Sequence, residues 1–309
     1  MLYWLIPLIA AAVLPLGAMS VCFFTIFYSP RRKQKRKSSS PIPSHRIFDP
    51  HRTQLIDWIR EVRELPHTDH SITSFDGLRL MGSYYEFKKG APVEILLHGY
   101  KGNSLRDMSG GVIRCRELGH NAFLVDHRAS GRSEGRVITF GAKESLDCVA
   151  WANYFVKEID PHAKIILTGL SMGAATVLTV ASMPLPENVV GILADCGFTS
   201  TREIVKKVMR DMRLPPHLLY PFARLSAMLF GGFDPDKTSP ISSMRRCTLP
   251  VLFFHGDTDD FVPCSMSERN YEACASEKKR LVITPSAGHG LCFPMDRDTY
   301  IREMREFFD

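Results

Sequence analysis

Six short apolar runs recur along the chain with helix-periodic stretches between them: Val93–Leu97, Ala122–Val125, Lys164–Thr168, Val189–Ala194, Val251–Phe254 and Leu281–Thr284. The helical patterns fall near 105–118, 140–158, 172–182, 264–276 and 296–308. Strands that alternate with helices imply parallel crossovers, so the pattern predicts an α/β protein whose mostly parallel central sheet is covered by helices on both faces. Ligands of such sheets bind beyond the carboxyl ends of the strands. Ahead of the alternation, residues 72–87 read as a hairpin turning at Asp76-Gly77, and 52–65 as a helix packed outside the sheet. No internal repeat is apparent.

One strand end carries chemistry. Gly169-Leu170-Ser171-Met172-Gly173 follows Lys164–Thr168 directly and leads into Ala174-Ala175-Thr176-Val177-Leu178. Strand, sharp turn and helix form the setting in which a serine becomes a nucleophile. The turn crowds its centre, so glycine is needed two positions to either side. The hydroxyl then lies near a helix N-terminus, where unpaired N–H groups favour developing negative charge.

A serine hydroxyl needs a base, and the base needs an orienting acid. The base candidate is His289, in Ala287-Gly288-His289-Gly290 after the strand Leu281–Thr284. The acid lies in His255-Gly256-Asp257-Thr258-Asp259-Asp260, at the end of the strand Val251–Phe254. Asp259 fits best, Asp260 is its rival, and Asp257 sits close to the strand end. An oxyanion hole requires two backbone donors. Met172, directly after the serine, supplies one. The loop His98-Gly99-Tyr100-Lys101-Gly102 supplies the other, with Tyr100 as the donor; its ring either lines the pocket or packs the loop.

The N-terminus stands apart in composition. Leu2 to Tyr28 contains no charged residue, is longer than the roughly 20 residues that cross a bilayer core, and has aromatic residues at both ends. Arg31-Arg32-Lys33-Gln34-Lys35-Arg36-Lys37 follows, six positive charges in seven residues. Those six account for the whole excess of 39 basic over 33 acidic residues, so no general nucleic-acid surface is implied. Positive charge placed after the apolar run, rather than before it, favours a membrane anchor over a cleaved signal and over a nuclear-localisation signal. The expectation is a single-pass protein of the cell membrane with a cytoplasmic catalytic body. Its transmembrane helix spans 1–29, its basic and Ser/Pro linker 30–50, and its catalytic domain 51–309. Eight scattered cysteines (22, 115, 148, 196, 247, 264, 274 and 292) show no metal-ligand spacing and fit a reducing compartment. No metal or organic cofactor is expected.

About fifty residues between Phe198 and Thr248 contain no strand, only apolar positions consistent with two or three short helices. Such an insertion, about 199–247, reads as a helical cap over the site, with a packing elaboration as the alternative.

Taken together, residues from about 70 to 309 resemble the α/β-hydrolase superfamily, nearest to its serine aminopeptidase-like and monoglyceride-lipase-like group. The resemblance is carried by His98-Gly99, Asp126-His127-Arg128-Ala129-Ser130-Gly131-Arg132-Ser133-Glu134-Gly135, the Gly169–Gly173 turn, His255-Gly256 with Asp259, and Gly288-His289. It implies the α/β-hydrolase fold, a Ser171–His289–Asp259 triad, and structural rather than catalytic roles for Asp126 and Arg128. Ala129-Ser130-Gly131 departs from the Gly-His-Gly common in that family. Substrate is weakly specified. The anchor and the Leu, Met and Phe of the cap favour a small acyl ester or lipid-like substrate. A peptidase that binds a free amino-terminus would need carboxylates, for which Glu187, Asp195 and Glu203 are candidates. A non-catalytic hydrolase-like binding protein is the alternative from another class. Oligomeric state is not specified.

Overall fold

A computed structural model describes residues 15–30, 42 and 46–308. Eight strands form one sheet: β1 (Thr68–Thr73), β2 (Arg79–Tyr85), β3 (Val93–Leu97), β4 (Asn121–Val125), β5 (Ile165–Leu170), β6 (Val189–Asp195), β7 (Val251–Gly256) and β8 (Lys279–Thr284). Their order is β1-β2-β4-β3-β5-β6-β7-β8. The β1–β2 and β2–β4 pairs are antiparallel and every later pair is parallel. β3 is buried along its whole length, as expected of a central strand with both faces covered.

Two apolar layers clamp the sheet. On one face Ile95, Leu97, Phe123, Ile165, Leu167 and Phe253 pack against Trp151, Phe155, Val177 and Leu178. On the other, Leu96, Leu124, Leu193, Leu252 and Phe254 pack against Val112, Cys115, Tyr300 and Met304. The helix Arg52–Glu64 reaches this second layer through Trp58 and Val62, lying beside the helix Ser104–Leu118 rather than directly on the sheet. Asn103 caps Ser104–Leu118 by accepting the Arg106 N–H, and Gly119 closes it at φ 76°.

Between β6 and β7 the chain forms the helices Thr201–Asp211 and Pro216–Ser226, a π-helical turn Ala227–Gly231, a 3₁₀ turn Pro235–Lys237 and a short α-helix Pro240–Met244. The insertion divides into two parts. Met244 and Cys247 are buried in the layer beneath Val177 and Leu178, so the end of the insertion is part of the scaffold.

The N-terminal expectation changes. Among the described residues no helix is long and apolar enough to cross a membrane. Residues 1–14 and 31–41, with much of the expected span and the basic run, lie outside the described residues. What is described of the span's end rests on the domain. The Phe27 carbonyl accepts the Ile138 N–H at 2.8 Å, and the Ser29 N–H donates to the Arg136 carbonyl at 2.9 Å. Phe27 is 1% exposed, with its ring against Phe140 and Phe233. Phe23 contacts Phe230 of the cap. An aromatic pair fits a protein core as well as a lipid interface, which is why charge-free sequence could not place the boundary. At the other end of the expected linker, Arg46–His51 is already helical and Ile47 packs beside Gly288, so the folded domain starts before residue 51.

Candidate active site

β5 ends in the turn that carries Ser171. The serine has φ 56° and ψ −114°, a conformation held for L-residues only by tight surroundings. Those surroundings are two glycines. A Cβ on Gly169 would stand 2.2 Å from the Gly173 carbonyl carbon, and one on Gly173 would stand 2.1 Å from the Leu97 carbonyl oxygen. The Ser171 N–H donates to the Asp195 carbonyl at 2.8 Å, and its own carbonyl accepts the Ala175 N–H as the helix Met172–Val180 begins.

Three side chains from three strand ends meet there. Ser171 Oγ lies 2.9 Å from His289 Nε2, and His289 Nδ1 lies 2.7 Å from Asp259 Oδ2. The loop after β7 shapes the acid: Asp259 Oδ1 accepts the N–H groups of Phe261 and Val262 at 2.9 and 2.8 Å. Burial by itself would raise the Asp259 pKa. Hydrogen bonds from His255, His289 and the Val262 N–H, with the His289 charge, outweigh it and hold the carboxyl well below the usual range. The two rival carboxylates stand elsewhere. Asp257 accepts the Ser286 N–H at 2.6 Å and so braces the loop before His289, while Asp260 is exposed.

In the sequence His255 stands out only as part of the His255-Gly256 motif. Buried completely, it spans Ser267 Oγ at 2.6 Å and the Val262 carbonyl at 2.8 Å, with Nε2 3.3 Å from Asp259 Oδ2. It thus fixes the loop that presents the acid. Cys196 is a second residue missed, because nothing in its sequence context marks it. Its thiol, buried at φ 49°, has its sulfur within 4.8 Å of ligand atoms of Asp259 and His289. Burial, followed by the Asp195 and Asp259 carboxylates, pushes that thiol well up, so it stays protonated beside Asp259 and His289. Phe261 adds an aromatic wall 5.0 Å from the His289 ring.

The opposite wall is the loop after β3. His98 is buried, with Nε2 accepting the His127 N–H at 3.1 Å and Nδ1 facing the Gly99 carbonyl at 2.8 Å, so its Nδ1 is the protonated nitrogen. Gly99 stands against Ser171, where an added Cβ would sit 3.6 Å from Ser171 Cβ. Tyr100 follows, its ring packed 4.9 Å from Phe140 and its hydroxyl bonded to the Ile26 carbonyl. The ring therefore packs the loop against the N-terminal segment. Lys101 Nζ adds a bond to the Thr25 carbonyl at 2.8 Å.

Asp126 and Arg128 hold this framework. Asp126 Oδ1 accepts both the N–H and the hydroxyl of Ser104, and Oδ2 accepts the Arg132 N–H. Gly131, at φ 54°, is compelled, since a Cβ there would lie 2.3 Å from the Asp126 carboxylate. Arg128 makes a two-pronged pair with Asp147 at 2.6 Å and a further bond to Asp76 at 2.8 Å. Both residues brace loops beside the site without touching Ser171.

Residues 139–309, which include Ser171, Asp259 and His289, match the prolyl oligopeptidase family. The chain belongs to that family. Among curated relatives, the uncharacterized protein YqkD of Bacillus subtilis is 29% identical over 255 residues, covering 82% of this chain and 83% of its own length. The uncharacterized protein Rv2307c of Mycobacterium tuberculosis is 27% identical over 300 residues, covering 96% and 92%. Among solved structures, an esterase of Pyrococcus furiosus matches with a TM-score of 0.66 at 23% identity, covering 80% of this chain and 92% of that one. That likeness gives the α/β-hydrolase fold. The sequence resemblance and the family match agree on this superfamily.

Proposed function

We propose that the chain is a serine hydrolase that cleaves carboxylic esters through an acyl-enzyme. The carrying observation is the continuous line Ser171 Oγ–His289–Asp259, with bonds of 2.9 and 2.7 Å. In this reading His289 Nε2 takes the serine proton as Oγ attacks the acyl carbon. The N–H groups of Met172 and Tyr100 receive the oxyanion. His289 then passes the proton to the leaving alcohol, and Asp259 keeps the Nδ1–H tautomer. Water repeats the cycle on the acyl-serine.

An ester is favoured over a peptide by what surrounds Met172. Phe140, Phe198, Ala223 and Val262 form one buried apolar cluster with it, so that side of the oxyanion donor offers no charge to hold an amino-terminus. The carboxylates proposed for holding an amino-terminus are elsewhere engaged or remote. Glu203 pairs with Arg269 at 2.7 Å, Asp195 is buried with Oδ2 accepting from the Tyr300 hydroxyl at 3.1 Å and Oδ1 unpartnered among the described residues, and Glu187 precedes β6 at the opposite end of the sheet. A peptidase reading is favoured by the family match. Turnover of p-nitrophenyl acyl esters against aminoacyl p-nitroanilides decides between them: faster ester cleavage, abolished in Ser171→Ala, is expected, and faster anilide cleavage would replace the ester reading. Activity equal in wild type and Ser171→Ala would favour a binding protein instead.

The uncharged run before Cys22, with the basic run 31–37 after it, further supports a membrane anchor and a cytoplasmic catalytic domain. Carbonate-resistant retention of the full chain in the membrane fraction is expected. Release into the soluble fraction would contradict it.

A further inference from the structure

The cap helix Pro216–Ser226 has apolar residues on both faces. Its inner face carries Tyr220, Ala223 and, beyond its end, Ala227, all buried in the cluster that includes Met172. The outer face carries Leu218, Leu225 and Leu229 at helical spacing, 58%, 44% and 60% exposed, with Met228 and Phe230 beside them. A surface helix ordinarily turns charge toward water. The one charged side chain in Pro216–Ser226, Arg224, is folded back onto Asp234 at 2.9 Å.

We propose that this outer face docks on a lipid bilayer whose surface carries anionic headgroups. The uncharged N-terminal run arrives beside it, because the Phe23 ring contacts both Phe230 and the exposed Phe24. An apolar surface thereby continues from the cap into the segment read as the anchor. Charge at the margin fits the same partner. Arg210 and Arg213 stand exposed at the end of the preceding helix, Arg213 between the exposed Met212 and Leu214, while the Asp211 carboxylate between them is already paired with Lys207 at 2.6 Å. The basic run 31–37 begins only a few residues after Phe24. With the helix lying flat, one helix diameter of about 10 Å separates lipid from the cluster around Met172. Docking would hold the oxyanion side of the site toward the membrane, where a lipid-like ester is found. The proposal rests on the anchor reading above.

The test uses the full chain with Cys22→Ser and Cys264→Ser, the two half-exposed cysteines, and a bimane label on Leu225→Cys, or on Leu229→Cys should the first variant fail to fold. A label on Lys157→Cys, in the turn before β5 at the other end of the sheet, serves as the reference. The proteins are reconstituted in phosphatidylcholine–phosphatidylglycerol vesicles with and without brominated acyl chains. Bimane on the cap should be quenched by brominated lipid at least threefold more than bimane at 157. Equal quenching in protein that floats with the vesicles would overturn docking and leave the anchor standing. Blue-shifted but unquenched emission would assign the face to a second copy and also overturn it. Protein that does not float would refute the anchor and the docking together.

Discussion

Ser171 is held at a backbone conformation that serine does not choose, and two glycines permit it. Gly173→Ala drives a methyl into the Leu97 carbonyl, which lies on the strand bearing the His98–Tyr100 loop. Overpacking of this kind costs about 1–3 kcal/mol. It should lower the denaturation midpoint modestly and ester turnover far more, since the displaced groups are the nucleophile and its oxyanion donors. Paired denaturation and kinetic measurements check this. Asp259→Asn should lower kcat roughly 10⁴-fold by favouring the wrong His289 tautomer. Asp260→Asn should remain near wild type, which separates the two carboxylates that the sequence left in competition. Spacing ranked Asp259 first without excluding Asp260, because three acids in four residues differ only in where a loop turns. The Phe261 and Val262 amides, with His255 behind, select Asp259.

At the scale of elements, the segment from Phe23 to Ser29 is the least expected. Its composition was legible, and so was its aromatic end, but lipid and protein interiors select the same residues. The structure uses Phe27 as a wedge between Phe140 and Phe233, and the Thr25 and Ile26 carbonyls as tethers for Lys101 and Tyr100. Phe27→Ala should therefore act locally. Truncating a buried phenylalanine costs about 3–5 kcal/mol, and here the loss should appear as faster hydrogen exchange at the Ser29 and Ile138 amides with lowered ester turnover. Protection unchanged at those amides would mean the segment is held by other contacts. The insertion between β6 and β7 was legible as an interruption of the strand rhythm. Its true extent was not, because Met244 and Cys247 look no different in sequence from the apolar residues ahead of them.

For the whole molecule, the alternation of runs and helices was enough to specify the sheet, with strand ends within one or two residues for most elements. Pairing across β3 and β5 involves a feature the alternation concealed. Glu94, wholly buried in β3, faces Arg114 and His120 and accepts the Thr168 hydroxyl from β5. Burial works to raise its pKa, and the Arg114 charge with the His120 and Thr168 bonds overrides this to about 2. A carboxyl depressed from its ordinary 4.5 stabilises the fold fully above that value and loses its contribution as pH falls toward 2. Melting temperature should fall across that window in the wild type. Glu94→Gln should flatten the fall and, by leaving Arg114 buried and unpaired, lower stability at pH 7 by about 3–5 kcal/mol.

A fluorophosphonate probe reads out most directly the assignment of Ser171 as the nucleophile. Tandem mass spectrometry of the labelled full chain should place one adduct on the Ser171 hydroxyl, absent from Ser171→Ala and strongly slowed in His289→Ala. An unlabelled wild type, or an adduct that persists in Ser171→Ala, would contradict it.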